Sequence, residues 1–168
     1  MKTHPYYCGL LAAALLFAGC QPENRQSTMN IHLTDAPADY EEVNIDLKQV
    51  QVQFADDTSG WQNVETHAGM YDLLQLQNGV DTLIATGTFP AGTVHQLRLI
   101  LGENNNIVVN GETYPLTVPS GAHSGLKVKV HKKLNKNLED LVVDFDAGLS
   151  VHQEGNGNYK LRPVLKIK

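Results

Sequence analysis

Apolar and polar residues alternate with period two along most of this chain, and no stretch carries a convincing helical period. Residues 29–34 (MNIHLT) alternate and predict a first strand, which residues 35–42 break with Pro37 and several carboxylates. Val43, Ile45 and Leu47 then alternate, as do Val50, Val52 and Phe54, but the two sets are out of phase. A β-bulge near Lys48 and Gln49 keeps both sets on the core side, because a one-residue slip would otherwise flip every later side chain. Residues 56–60 have turn chemistry and 61–64 predict a short return strand. Residues 71–76 suit a strand or a helical turn, and 80–89 predict a strand in which Gly87 marks a bulge or a close approach.

Residues 90–93 (PAGT) place Pro and Gly as in a type II turn. The strand at 94–101 sets Leu97, Leu99 and Leu101 on one face and Arg98 on the other. Asn110-Gly111 between two β-rich runs is a strong hairpin signal. Pro115 and Pro119 remove ladder donors, which predicts an edge position for residues 116–118. Residues 126–130 form a half-exposed strand, followed by a basic loop at 132–137. Leu141, Val143 and Phe145 face the core, with Asp144 and Asp146 on the strand's polar side. After a turn at 154–158, Tyr159, Leu161, Pro163, Leu165 and Ile167 make the closing strand. About ten short strands without a long helix predict an all-β, antiparallel β-sandwich, immunoglobulin-like or prealbumin-like, with a closed barrel as the alternative.

The first residues follow a different pattern. Lys2 is followed by a short apolar run at 10–18 (LLAAALLFA), then Gly19-Cys20. The run is too short to span a bilayer and has the order of a secretory signal. Cys20 after a small residue resembles the bacterial lipobox, although Phe17 replaces the usual Leu, Val or Ile. The resemblance implies that residues 1–19 are a lipoprotein signal peptide and that Cys20 carries lipid. Residues 20–28 would be a tether and 29–168 the domain. The expected address is the bacterial cell envelope, anchored through Cys20 in a membrane, the outer one before the inner.

Charge and cysteine count narrow the chemistry. Cys8 leaves with the signal and Cys20 is used by lipid, so disulfides, thiolate metal sites and Cys nucleophiles are excluded from the domain. Lys2 is the sole formal charge in residues 1–19, so 12 basic and 18 acidic residues leave a net charge of −6. That balance suits neither nucleic acid nor anionic headgroups as a partner.

Several motifs now form an ordered set. They are LTDAP at 33–37 with Val43 and Asn44, YDLL at 71–74 with Asn78 and Gly79, and PAGT at 90–93 with QLRL at 96–99. YPLTVPSG at 114–121, DFD at 144–146 and GNGNY at 155–159 complete it. In this order they resemble the bacterial domain-of-unknown-function family 4382, found on secreted lipoproteins. The resemblance covers nearly all of the domain and implies a β-sandwich on the cell envelope. It brings no activity and no catalytic residues with it.

No enzyme motif survives inspection. Residues 121–125 (GAHSG) are not a nucleophile elbow, since the spacing and the all-β context are wrong. Residues 155–157 (GNG) lack the glycine spacing and helix of a dinucleotide loop. The histidines of the domain show no zinc-binding spacing. If every connection joins antiparallel neighbours, one end of the sandwich collects Asp56, Asp57, Asn78, Glu103, Asn104, Asn105, Asn106, His123, Glu154, Asn156 and Asn158. These are candidate ligand-binding loops, since carboxylate and amide oxygens hydrogen-bond sugar hydroxyls and are the ligands calcium prefers. Trp61 and Tyr159 would supply stacking faces. No D-x-D-x-D loop marks a calcium site, and no cofactor is expected. The expected function is a non-enzymatic binding module for a glycan or a surface protein, with a structural or assembly module of an envelope complex as the alternative and a hydrolase last.

Overall fold

A computed structural model describes residues 25–55, 60–119, 124–135 and 137–168. Thirteen strands lie among them: β1 (Gln26–Asp35), β2 (Glu42–Phe54), β3 (Gln62–Thr66), β4 (Gly69–Asp72), β5 (Thr82–Pro90), β6 (Gly92–Leu101), β7 (Asn106–Val109), β8 (Glu112–Thr117), β9 (Leu126–Leu134), β10 (Leu138–Phe145), β11 (Val151–Gln153), β12 (Tyr159–Leu161) and β13 (Leu165–Ile167). A 3₁₀ turn at Leu73–Leu76 and one helical turn, α1 (Ala147–Ser150), complete the described elements. The fold is all-β. Its strands form one curled, mixed sheet that doubles over a shared core.

One half runs β3-β5-β1-β10-β13, the other β3-β2-β6-β9, so β3 is the hinge common to both. Its first residues pair with β2, and Glu65 and Thr66 pair with β5. Alternation explains the interior: Met29, Ile31 and Leu33 of β1 meet Leu97 and Leu99 of β6 and Val143 and Phe145 of β10 in one buried cluster. Lys132 of β9 reaches Glu139 of β10 at 3.3 Å, an ion pair that ties the two halves opposite the β3 hinge. The start of β2 carries a branch, β7-β8-β12-β11.

The bulge in β2 is where the phase change predicts it. Leu47 pairs with Leu101 and Gln49 with Ile100, leaving Lys48 as the extra residue. Val43, Ile45, Leu47, Val50 and Val52 are thereby all buried. The Asn110-Gly111 hairpin also stands, with φ of 53° and 75° at its two central residues, as a type I′ turn requires. Gly87 is a close approach: a Cβ there would lie 2.8 Å from the Phe89 ring.

Other expectations are corrected. The sheet is not wholly antiparallel, because β1 runs parallel to β10 and β12 parallel to β8. Those pairs are remote in sequence, so their directions follow from the intervening path and not from a hairpin. Leu116 and Thr117 are not an edge, since β12 covers them from the side opposite β7. Gly92 is not in the left-handed region that a type II turn would need; it opens β6, and a Cβ there would come 3.3 Å from Phe54. The basic loop begins later than expected because β9 continues to Leu134, past a bulge where His131 takes a φ of 54°.

The closing strand is two strands. Pro163 has no donor, and the Ser150 hydroxyl accepts from the Val164 N–H at 2.9 Å, so the chain leaves β12 and joins β10 as β13. Asp144 is not on an exposed polar side but is buried, with Lys166 and Lys168 at 3.0 and 3.3 Å. The hydrogen bond and charge of that carboxylate push the Lys166 ammonium above its ordinary range. Finally, β1 starts at Gln26, inside the expected tether, because Gln26 and Ser27 pair with Pro90 and Phe89 and Thr28 pairs with Leu138.

Candidate functional site

Of the residues singled out as ligand loops, Asp56, Asp57 and His123 lie outside the described residues, as does Cys20. The rest all lie toward the end of the sheet at which β1 finishes and β2 begins. Loop 102–105 folds back against Asp46 near the beginning of β2. Asn78 sits in the loop beside Asp35, where β1 finishes: Gln77 donates to Asp35, and Thr34 donates to the carbonyls of Leu76 and Val80. The turn at 154–158 precedes β12, whose parallel register with β8 directs it toward the Asn110-Gly111 hairpin and away from Glu103. Successive strands do not strictly alternate in direction, since β3 and β4 both run antiparallel to β2, as do β6 and β7.

The Asn-rich loop is occupied with holding itself. Asn105 is buried; its Oδ1 accepts the Asp46 N–H at 2.9 Å and its Nδ2 donates to the Gly102 carbonyl at 2.7 Å. The Asn104 amide donates to the Asp46 carboxylate at 3.3 Å, and Lys48, the bulge residue, reaches the same carboxylate at 2.8 Å. Asn106 accepts from the Asn44 side chain at 3.0 Å. Asn156 accepts the Asn158 N–H at 3.1 Å and so shapes its own turn. Glu103 stays exposed on the rim of an open groove of about 530 Å³, bounded by Leu101, Asn105, Pro115 and Leu116. Tyr159 offers no stacking face, since it is buried with its ring 5.2 Å from that of Tyr114.

Trp61 has a different setting. The inward residues of β2, β6 and β9 are Val50, Val52, Leu97, Leu99, Leu126 and Val128, so their neighbours in sequence point outward. Register then aligns these outward residues in rows across four strands. Asn63 of β3 stands beside Gln51 of β2, Gln51 beside Arg98 of β6, and Arg98 beside Lys127 of β9. In the next row Gln53 pairs with Gln96 and Gln96 with Lys129.

Hydrogen bonds organise the first row. Arg98 Nε donates to Gln51 Oε1, Gln51 Nε2 donates to Asn63 Oδ1 at 2.6 Å, and another Arg98 nitrogen donates to the Ser124 carbonyl at 3.1 Å. The Arg98 guanidinium carbon lies 4.4 Å from the centre of the Trp61 ring, a cation–π contact that orients a half-exposed indole. The outcome is a flat polar face with an aromatic surface beside it. Its inward half is apolar core, and its outward half carries amides and cations.

Sequence reading named Trp61 but missed Gln51, Gln53, Gln96, Arg98, Lys127 and Lys129 as a group. The signal was present as Q-x-Q-x-Q at 49–53 and K-x-K at 127–129, the outward half of each alternation. What the alternation does not say is which strands are neighbours. Among the described residues no group of three His, Cys, Asp or Glu side chains converges so as to hold a metal ion.

The architecture defines a class: an all-β domain of one curled mixed sheet, with a polar outer face on β3-β2-β6-β9. The chain belongs to the family Domain of unknown function (DUF4382), whose family model matches residues 26–163. No curated protein and no solved structure matches it.

Proposed function

We propose that this chain is a non-enzymatic binding module of the bacterial cell envelope, lipid-anchored through Cys20, that holds a glycan on the outer face of β3-β2-β6-β9. The observation that carries this reading is the Trp61–Arg98 pair set beside a ladder of amide side chains. A pyranose ring has an apolar C–H face that packs on an indole and a rim of hydroxyls that need donors and acceptors. Gln53 and Gln96 offer both at once from neighbouring strands. The end loops have a lesser part, because Asn104, Asn105 and Asn106 are engaged in holding their own loop. A module that acts without turnover or cofactor is supported by the buried carboxylates: Asp46 and Asp144 are matched by lysines, and Asp35 accepts from the backbone N–H of Ala147.

A second reading, an assembly module, draws on Leu149 and Val164. Both are exposed apolar residues, and they belong to segments joined by the bond from Asp146 to Val164. Glycan-array binding of the wild type and of Trp61→Ala separates the two. The expected outcome is binding by the wild type and at least a tenfold loss in the variant at unchanged melting temperature. An array blank for the wild type, together with a protein partner lost in Leu149→Asp, would establish the assembly reading in its place.

A further inference from the structure

The outer face is basic although the chain as a whole carries a formal charge of −5. β9 presents Lys127 and Lys129 outward, both exposed, one in each amide row. Neither has an ion-pair partner among the described residues, in contrast to Lys48, Lys132, Lys160, Lys166 and Lys168, each of which meets a carboxylate. Arg98 adds a third cation in the row of Lys127, and no carboxylate lies in either row. A folded chain with more acidic than basic residues has thus gathered unpaired cations on the face that also carries its one tryptophan.

We infer that the glycan held here is an acidic polysaccharide, one bearing carboxylate groups along its chain; this inference rests on the glycan reading above. From β3 to β9 the row crosses three inter-strand spacings, about 14 Å at roughly 4.8 Å each, room for a short run of linked sugar rings lying across the strands. Trp61 stacks one ring at the β3 side, the glutamines take hydroxyls in the middle, and Lys127 and Lys129 meet carboxylates at the β9 side. The two lysines are i and i+2 on one strand, about 7 Å apart, so they engage separate carboxylates instead of crowding one. Nucleic acid is the poorer fit, because single strands are held by stacking successive bases on several aromatic rings and this face has one.

The test titrates the full chain, purified in detergent, with polygalacturonate, alginate and hyaluronate. The neutral set is methyl-esterified polygalacturonate and dextran. Tighter binding to the acidic set is expected, weakening as salt is raised. Lys127→Gln/Lys129→Gln should lose at least tenfold on the acidic set and keep whatever affinity the wild type has for the neutral set. Both sites are exposed, so circular dichroism and melting temperature should not change. Equal affinity for both sets, or an acidic preference untouched by the double variant, overturns this inference and leaves the glycan reading standing. Binding to neither set overturns both, and so does tighter binding to oligo(dT) than to any of the polysaccharides.

Discussion

Asp35 shows how much one side chain in this domain depends on its surroundings. It ends β1, is 2% exposed, and accepts from the Ala147 N–H at 2.8 Å and from Gln77 at 3.3 Å. Burial dominates over those bonds and raises its pKa from 3.8 to about 6, with the nearby Asp144 carboxylate adding to the rise. The folded chain therefore keeps a proton that the unfolded chain releases. The stability that Asp35 contributes is complete below about pH 4 and is lost as pH rises to about 6. Glu154 has the opposite sign, since its hydrogen bond to Lys160 lowers its pKa, but it acts below 4.5. Asp35→Asn keeps an acceptor for Ala147 and removes the titration. Urea unfolding should then show a flatter profile between pH 4 and 6, and a gain above pH 6 on the order of 1–2 kcal/mol. An unchanged slope in the variant would place the titration elsewhere.

Among elements, the β2 bulge and the loop after β6 work as one unit. The bulge frees Lys48 to reach Asp46, and the loop closes over that carboxylate through Asn104 and Asn105. Gly102 is the tight point: a Cβ there would sit 2.2 Å from Asp46 Oδ2 and 2.4 Å from Lys48 Cε. Gly102→Ala should therefore cost about 1–3 kcal/mol, as overpacking does, and should speed amide exchange at Asp46 and Gly102. Gly69→Ala, where nothing lies within 4 Å, is the control and should be near neutral. The phase slip that reveals the bulge is legible in the sequence, because period two makes any extra residue visible. The loop's inward turn is not, since Asn at 104–106 fits a solvated loop or a buried clasp equally well until Asp46 is seen beneath it.

At the scale of the molecule, β1 occupies a central place between β5 and β10, yet it is the first of the described elements after the proposed anchor. A lipid on Cys20 would thus hold the domain by a strand paired along both sides, with five residues between Cys20 and Gln26. Metabolic labelling with a clickable fatty acid should mark the wild type and fail to mark Cys20→Ala, with the label partitioning into the membrane fraction. Equal labelling of the two would remove the anchor and with it the proposed address.

The all-β character of the domain, the place of most strands, the core side of each and the bulge in β2 are all legible along the chain. These are local matters, settled by period two and by what Gly, Pro and Asn do to the backbone. It took the packed sheet to show that β1 and β10 run parallel, that Leu116 and Thr117 are covered, that Asp144 is buried, and that the Asn-rich loop turns in onto Asp46. The reason is physical: alternation specifies the face on which a side chain lies, whereas neighbours and direction are set by how remote strands close a common core. Gln51, Gln53, Gln96, Arg98, Lys127 and Lys129 could each be read as outward in the sequence, and they became one face only when β2, β6 and β9 came side by side.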